Sequence, residues 1–525
     1  MKVLISDPLS DEGLKILEDR KIAFDCKSKL SPEELKKIIC NYEALIIRSG
    51  TKATAEIIEA GDKLKVIGRA GVGIDNVDLE AASKKGIIVM NTPGGNTIST
   101  AEHTVSMLLA LNRNIPQANA SMKSGAWDRK SFESHELSGK CLGIIGLGRI
   151  GLEVAKRAQS FGMKIIAHDP FLSPKKAEQL DIELVELDDL FGKLDFLTVH
   201  TPLTAETNHM IGEKQFAQMK KGVKILNCAR GGIVDEAALL KAIEAGIVGG
   251  AALDVFENEP PKNSPLVALD CVIATPHLGA STTEAQINVA VEIAEQVADL
   301  LQGKGVRNAL NYPCLEGEVC AVLEPYIKLS EKLGSFSAQI ISGHINQVSI
   351  KYSGDIVNHD IAPVTLALLK GLLAFKLGES VNYVNAPFIA KERGIEVSET
   401  KVLENEKFSN LISVEVLTDK GQSIVSGTLF AKDKPRIVRI NNFYIDTIPE
   451  GNVLITNNID SPGIVGKVGT ILGNNKVNIA AMTFGKTGAS GNSMVVLNVD
   501  SEITEDVLAE IKKCKNVTDA KVIRL

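Results

Sequence analysis

From residue 1 to about residue 310, short apolar runs closed by Gly, Pro, Asp or Arg alternate with longer stretches of helical spacing. That rhythm predicts βαβ units and parallel sheet. The predicted strands are Val3–Ser6, Ala44–Arg48, Val66–Arg69, Ile87–Asn91, Cys141–Ile145, Lys164–His168, Phe196–His200, Val223–Asn227, Gly250–Val255 and Val272–Thr275. Ten strands are too many for one ordinary sheet, and a Gly-rich turn arrives only after the fifth, so two sheets are expected. The seam falls in a long helix predicted over Thr97–Met122, where Ala101, Val105, Leu108 and Leu109 recur at helical spacing. A second long helix starts at Ser281, with Ser281 and Glu284 spaced as a capping box and Ile287, Val291, Ala294, Ala298 and Leu301 as its apolar stripe. Its position suits a return of the chain to the first sheet.

Beyond residue 313 the pattern changes. Helical stretches at Val319–Ile341 and Pro363–Lys376 precede alternating strands, and Asp419-Lys420-Gly421 turns between Ile412–Leu417 and Ile424–Phe430. From Asn452 the predicted order is strand Val453–Asp460, helix Ile464–Asn474, strands Val477–Phe484 and Met494–Val499, helix Glu505–Cys514 and strand Ala520–Arg524. This βαββαβ order describes a compact module.

Composition narrows the function classes. A chain of 525 residues is a prior for roughly three or four domains. With 58 Lys+Arg against 65 Asp+Glu the net charge is -7, which argues against a nucleic-acid partner. Hydrophobic residues at 44% and charged residues at 23% belong to a globular chain, and aromatics at only 4% imply aliphatic cores. The cysteines Cys26, Cys40, Cys141, Cys228, Cys271, Cys314, Cys320 and Cys514 are scattered without a CxxC pair, the usage of a reducing compartment. Met1–Asp7 is too short for a signal sequence, and no uncharged apolar run reaches the ~18 residues of a membrane span. A soluble cytoplasmic protein with no membrane partner is expected.

Two groups of residues carry chemistry. Gly146-Leu147-Gly148-Arg149-Ile150-Gly151 follows a predicted strand, opens a predicted helix, and precedes a second strand reaching Asp169. Glycines there let the backbone approach a pyrophosphate held on the helix N-terminus, and Asp169 suits a ribose hydroxyl while repelling a 2′-phosphate. NAD is therefore favoured over NADP, although Arg149 and Lys175 nearby leave NADP open. Arg230, Glu259 and His277 each follow a late strand, at the end of the sheet where such folds bind ligands. Oxidation of a 2-hydroxy acid needs a base for the hydroxyl proton, a cation for the carboxylate and an acid that orients the base. His277, Arg230 and Glu259 supply these in turn. The remaining histidines, His103, His135, His168, His200, His209, His344 and His359, show no metal-ligand spacing, so they read as structural and no metal is expected.

These motifs, with Asn227-Cys228-Ala229-Arg230-Gly231-Gly232, Asp254-Val255-Phe256-Glu257-Asn258-Glu259-Pro260 and Pro276-His277-Leu278-Gly279, resemble the D-isomer-specific 2-hydroxyacid dehydrogenase family over residues 1–310. Over its full length the chain is most similar to the long members that oxidise D-3-phosphoglycerate on the phosphorylated route to L-serine. The resemblance implies an α/β fold with a Rossmann-type NAD domain (99–282) inserted in a flavodoxin-like substrate domain (1–98 and 283–312). An α+β intervening domain (313–450) and an ACT domain (451–525) would follow. It further implies NAD contacts at Gly146, Gly148, Arg149, Ile150, Gly151, Asp169, Thr201, Cys228, Ala229, Asp254, Gly279 and Ala280. A phosphate on a three-carbon acid needs cations beyond Arg230, and Arg48 and Arg69 stand at first-domain strand ends, while Ile74-Asp75-Asn76-Val77-Asp78 and Asn96 resemble the substrate loop of the phosphoglycerate members.

In the ACT-like module, Asn458, Asp460 and Asn478 are candidates to hold an amino acid whose carboxylate rests on the helix start at Pro462-Gly463, and L-serine is the effector implied. Trp127, Arg129 and Lys130 match the family's dimer contact, so a homo-oligomer, dimer or tetramer, is expected. Residues 313–450 resemble an extra domain that some long forms link to anion binding through a basic loop; here that loop reads Ala431-Lys432-Asp433-Lys434-Pro435-Arg436-Ile437-Val438-Arg439, with no histidine, which weighs against an anion-site role. Two alternatives stay open: a glyoxylate, hydroxypyruvate or 2-oxoglutarate reductase of the same family, and a corepressor-like protein that senses NAD.

Overall fold

The computed structural model describes residues 1–313, 317–378, 381–403, 408–431, 433–486 and 491–525, so Cys314 and Lys432 lie outside the described residues. Strands β1 (Lys2–Ile5), β2 (Ala23–Cys26), β3 (Ala44–Ile47), β4 (Val66–Arg69) and β5 (Ile88–Met90) form a parallel sheet in the order β2-β1-β3-β4-β5. This is the flavodoxin-like order. Strands β6 (Cys141–Ile145), β7 (Lys164–His168), β8 (Glu183–Leu184), β9 (Phe196–Val199), β10 (Val223–Asn227), β11 (Val248–Leu253) and β12 (Val272–Ala274) form a second parallel sheet, ordered β12-β11-β10-β9-β6-β7-β8. That is the Rossmann order, doubly wound about β6, with one strand added. Each predicted run overlaps a strand. The additions, β2 and β8, are edge strands.

Three helical expectations change. The helix predicted over Thr97–Met122 is two, α1 (Thr97–Arg113) and α2 (Ile115–Lys123), because Asn114 takes a left-handed φ of 51° and Pro116 follows. The next long helices are α3 (Arg149–Ser160) and α4 (Thr283–Leu301). Helix α4 is capped by Thr282, whose hydroxyl accepts from Ala285 N at 3.2 Å, and not by the predicted Ser281–Glu284 box; Ser281 N instead donates to Leu278 O. Its buried face centres on Val289, Ile293, Ala294 and Val297, leaving Ile287 and Val291 on the flanks. That face packs with Val3, Ile5 and Val66, so α4 does return the chain to the first sheet.

The C-terminal part holds two more sheets. Strands β13 (Ile345–Gly354), β14 (Glu396–Val402), β15 (Asn410–Thr418), β16 (Gly421–Phe430), β17 (Lys434–Ile440) and β18 (Phe443–Thr447) are ordered β14-β13-β15-β16-β17-β18. Helices α5 (Gly317–Ile340) and α6 (Ala362–Leu377) pack on it through Leu333, Phe336, Leu368 and Leu372. Strands β19 (Asn452–Ile459), β20 (Ile479–Lys486), β21 (Asn492–Val499) and β22 (Val517–Arg524) form an antiparallel sheet, ordered β20-β21-β19-β22, under α7 (Ile464–Asn474) and α8 (Glu505–Lys512). Its other face is buried too. Val453, Ile455, Met494, Val496 and Ile523 join the Phe336 core, so the last two sheets share one apolar interior. Among the described residues, no helix is long and apolar enough to cross a membrane.

Candidate active site

His277 sits in the loop that joins β12 to α4. Its Nδ1 lies 2.8 Å from Glu259 Oε2, an arrangement that fixes the ring and turns Nε2 to the cleft. The backbone at His277 is left-handed, φ 55°, a conformation that costs energy in a non-glycine residue. Asp254, at the tip of β11, holds it there. The Asp254 carbonyl accepts from His277 N at 2.9 Å, and its carboxylate accepts from Leu278 N at 2.7 Å, Gly279 N at 2.8 Å and the Thr275 hydroxyl at 2.6 Å. Burial alone would raise the Asp254 pKa, but these bonds and His103 outweigh it and hold the group below the usual carboxylate range. From the other side, Ser99 and Thr100 of α1 donate to the Gly279 carbonyl at 2.7 and 3.1 Å.

Arg230 is aimed by the turn after β10. Asn227 accepts from Ala229 N at 3.1 Å and donates to Arg230 O at 2.8 Å. The guanidinium reaches across the cleft to Asp75 at 3.0 Å, passing so close to Gly73 that a Cβ there would lie 1.9 Å from Nη2. Arg48 and Arg69 end β3 and β4 on the facing domain. Asp7 accepts from Arg48 N at 2.6 Å, while Arg69 Nε is buried with no hydrogen-bond partner among the described residues. Burial and the nearby Arg230 and Arg48 charges lower Arg69 to about 10, so it remains a cation at neutral pH. Arg48, Arg69, Asn96, Arg230, Glu259 and His277 all line one cavity of about 390 Å³. The five residues expected to bind substrate thus stand together, with a surplus of positive charge.

A second cleft of about 390 Å³ shares Asn96, Arg230 and His277 with the first. It is lined by Ile150, Thr201, Cys228, Ala229, Asp254, Gly279 and Ala280, every one an expected cofactor contact. The turn before α3 is shaped for a dinucleotide. Gly146 has φ 91°, a Cβ on Gly151 would come within 2.0 Å of Gly146 O, and the space over Gly148 is open. Asp169, just past β7, accepts from Leu147 N at 2.7 Å and Phe171 N at 2.8 Å, which locks its carboxylate beside that turn. The Thr201 hydroxyl is buried without a partner among the described residues, as a group that binds a ligand would be. These residues fit NAD. Burial, reinforced by Asp254, pushes the Cys228 thiol up to about 12, so it serves as a neutral wall.

Sequence reasoning missed His200, which lines this cleft. It is lowered to about 4 by burial, its Nε2 meets the Thr198 hydroxyl at 3.0 Å, and its Nδ1 has no partner among the described residues. The available signal was its place at the end of β9, next to Thr201.

The three effector candidates are not gathered in one chain. Asn458 is buried, donates to Thr456, and leaves Oδ1 unpartnered beside the equally unpartnered hydroxyl of Ser493, its register partner on β21. Asp460 follows the same strand end and pairs with Lys486 at 2.6 Å. Asn478 instead donates to Asp500 at 2.6 Å, next to the Val499↔Asn452 pair at the opposite end of β19. Seven residues of strand separate the two ends, roughly 25 Å at about 3.4 Å per residue.

Residues 105–279 match the family model described as D-isomer specific 2-hydroxyacid dehydrogenase, NAD binding domain. Residues 322–441 match the D-3-phosphoglycerate dehydrogenase intervening domain, and residues 452–516 match the ACT domain. The chain is 46% identical to the D-3-phosphoglycerate dehydrogenase of Methanocaldococcus jannaschii over 100% of both chains, and 42% identical to that of Bacillus subtilis over 100% of this chain and 99% of the relative. Among solved structures, a D-lactate dehydrogenase from Aquifex aeolicus complexed with NAD and lactic acid is 30% identical, with TM-score 0.53 over 60% of this chain and 100% of that one. A glyoxylate reductase from Paecilomyes thermophila is also 30% identical, with TM-score 0.55 over 59% of this chain and 98% of the other. On these matches the chain belongs to the D-isomer-specific 2-hydroxyacid dehydrogenase family, in the long branch of D-3-phosphoglycerate dehydrogenases, and is an NAD-dependent oxidoreductase.

Proposed function

We propose that the chain oxidises D-3-phosphoglycerate to 3-phosphohydroxypyruvate, the entry step of phosphorylated L-serine synthesis. The observation that carries this reading is the set of three guanidinium groups around one cavity with the His277–Glu259 pair. Arg230 binds the carboxylate and polarises C2, while Arg48 and Arg69, on the facing sheet, take the phosphate. His277 Nε2 accepts the C2 hydroxyl proton, and Glu259 stabilises the imidazolium that forms. Asn96 donates across the seam of the two clefts. Bound NAD supplies the acceptor for the C2 hydride; Gly146–Gly151, Asp169, Thr201 and Ala280 hold it, and Asp169 selects against a 2′-phosphate. A reductase for unphosphorylated acids would leave Arg48 and Arg69 without a substrate partner, and neither has a carboxylate salt bridge among the described residues. NADH formation with D-3-phosphoglycerate, D-glycerate and D-2-hydroxyglutarate side by side tests the reading. Turnover of the phosphorylated acid at least tenfold above the others supports it, and equal or reversed preference rejects it.

We further infer that L-serine is the effector of residues 451–525. The buried, unpartnered Asn458 Oδ1 and Ser493 Oγ near the α7 start support a polar ligand there. Because Asn478 lies at the far end of the same sheet, its share in that site comes from a second copy of the chain. A homo-oligomer follows, dimer or tetramer, and the exposed Trp127, at 77%, suits the other contact. Division of the chain at 1–98 with 283–312, 99–282, 313–450 and 451–525, and a cytoplasmic setting, complete the proposal.

A further inference from the structure

His103 stands on the buried side of α1, on the helix that joins the two catalytic sheets, and no role in the reaction attaches to it so far. Its Nε2 lies 3.2 Å from Asp254 Oδ1 and 3.3 Å from the Thr275 hydroxyl. Asp254 is fully buried, and among the described residues His103 is the one basic side chain recorded against it. A buried carboxylate without such a partner tends to take up a proton. The titratable groups facing Asp254 are His103 from α1 and the Cys228 thiol from the turn after β10; Thr275, Leu278 N and Gly279 N complete its shell as neutral donors.

We propose that His103 is a positioning residue for the hydride-transfer site: it keeps Asp254 ionised, and the ionised carboxylate holds residues 277–279 so that His277 meets Glu259 and the substrate. The link is short. The two backbone N–H groups that Asp254 accepts from belong to the residues directly after His277, and His277 holds a left-handed backbone that relaxes once those bonds weaken. Thr275 cannot substitute for His103, because its one hydroxyl proton is already donated to the same Oδ1. This rests on the reading of His277 as the proton-transfer group.

The test uses the full-length enzyme in the reducing direction, with 3-phosphohydroxypyruvate and NADH. There His277 is needed protonated, so falling pH does not disable it, and a loss of kcat at low pH reports on the Asp254 shell. Wild-type turnover is measured first; its absence would reject the proposed reaction, not the role of His103. His103→Leu should lower kcat at least tenfold at pH 6 and move the acid limb up by at least one pH unit. His103→Gln, whose amide reaches the same Oδ1 as a donor, should stay within threefold of wild type with an unmoved limb. His103→Asn, polar but too short, should follow the Leu variant, and it carries the test if Leu does not fold. A Leu or Asn variant with an unmoved acid limb, or a Gln variant as impaired as Leu, overturns the proposal.

Discussion

Arg69→Gln separates recognition of phosphate from recognition of the acid. In the free protein Arg69 stands among like charges: Arg48 and Arg230 both act against it, Asp75 and Asp7 offset them only in part, and its Nε is buried without a partner. The neutral side chain removes that repulsion, so the free variant should melt no lower than wild type. Binding tells the opposite story. A hydrogen bond to a charged group contributes about 1.5–3 kcal/mol, which is about a 10- to 150-fold fall in kcat/KM for D-3-phosphoglycerate. D-Glycerate lacks the phosphate and loses nothing by the change, so its kcat/KM should move less than threefold. A melting assay adds an independent reading. Inorganic phosphate should raise Tm of the wild type by occupying the Arg48–Arg69 site, and should raise it less in Arg69→Gln. Equal losses for the two acids, or a phosphate effect that survives the substitution, would refute the assignment of Arg69 to the phosphate.

Other outcomes follow from the same geometry. His277→Ala should cost about 10²- to 10⁴-fold in kcat with NADH affinity nearly unchanged, measured by steady-state kinetics and fluorescence titration; a loss under tenfold contradicts a proton-transfer role. Glu259→Gln removes the anion 2.8 Å from the imidazole, so kcat of the oxidation should fall because the imidazolium formed on proton transfer loses its counter-charge; an unchanged kcat would mean the pair does not act together. Asp169→Ala should raise the NADP-to-NAD ratio of kcat/KM, and an unmoved ratio would detach Asp169 from the ribose. Ile523→Ala, a fully buried change in the interior shared by the last two sheets, should cost about 2–5 kcal/mol and lower the melting of 313–525 as one unit, whereas two separate transitions would mean the sheets fold apart.

Much of the fold was legible because buried parallel strands are short, continuous apolar runs, and Val3–Ile5 of β1, β3 and β6 are of that kind. The edge strand β2, Ala23–Cys26, has no buried residue and so no such signal, and β8 has two residues. The break between α1 and α2 was written in Asn114 and Pro116, but the apolar spacing on either side carried the helix reading through it. The active-site trio was legible from strand ends, since parallel strands deliver their C-terminal residues to one crevice. What supports the trio was not. His103 meets Asp254 across 151 residues of chain, and Ser99 meets Gly279 across 180, pairings that no local spacing encodes. The effector candidates failed as a group for a related reason. Asn458, Asp460 and Asn478 are near in sequence, yet the antiparallel register sends Asn478 to the far end of the sheet. Likewise, β19 alternates between two buried faces, so its pattern gave no hint that one face belongs to the intervening sheet.

The central claim is that one cleft orients a phosphorylated 2-hydroxy acid by three arginines against His277, and a structure of the full-length enzyme with NADH and D-3-phosphoglycerate examines it directly. The account predicts the phosphate between Arg48 and Arg69, the carboxylate on Arg230, and the C2 hydroxyl within hydrogen-bond distance of His277 Nε2. A substrate bound the other way round, with its phosphate on Arg230 and its hydroxyl away from His277, would contradict it.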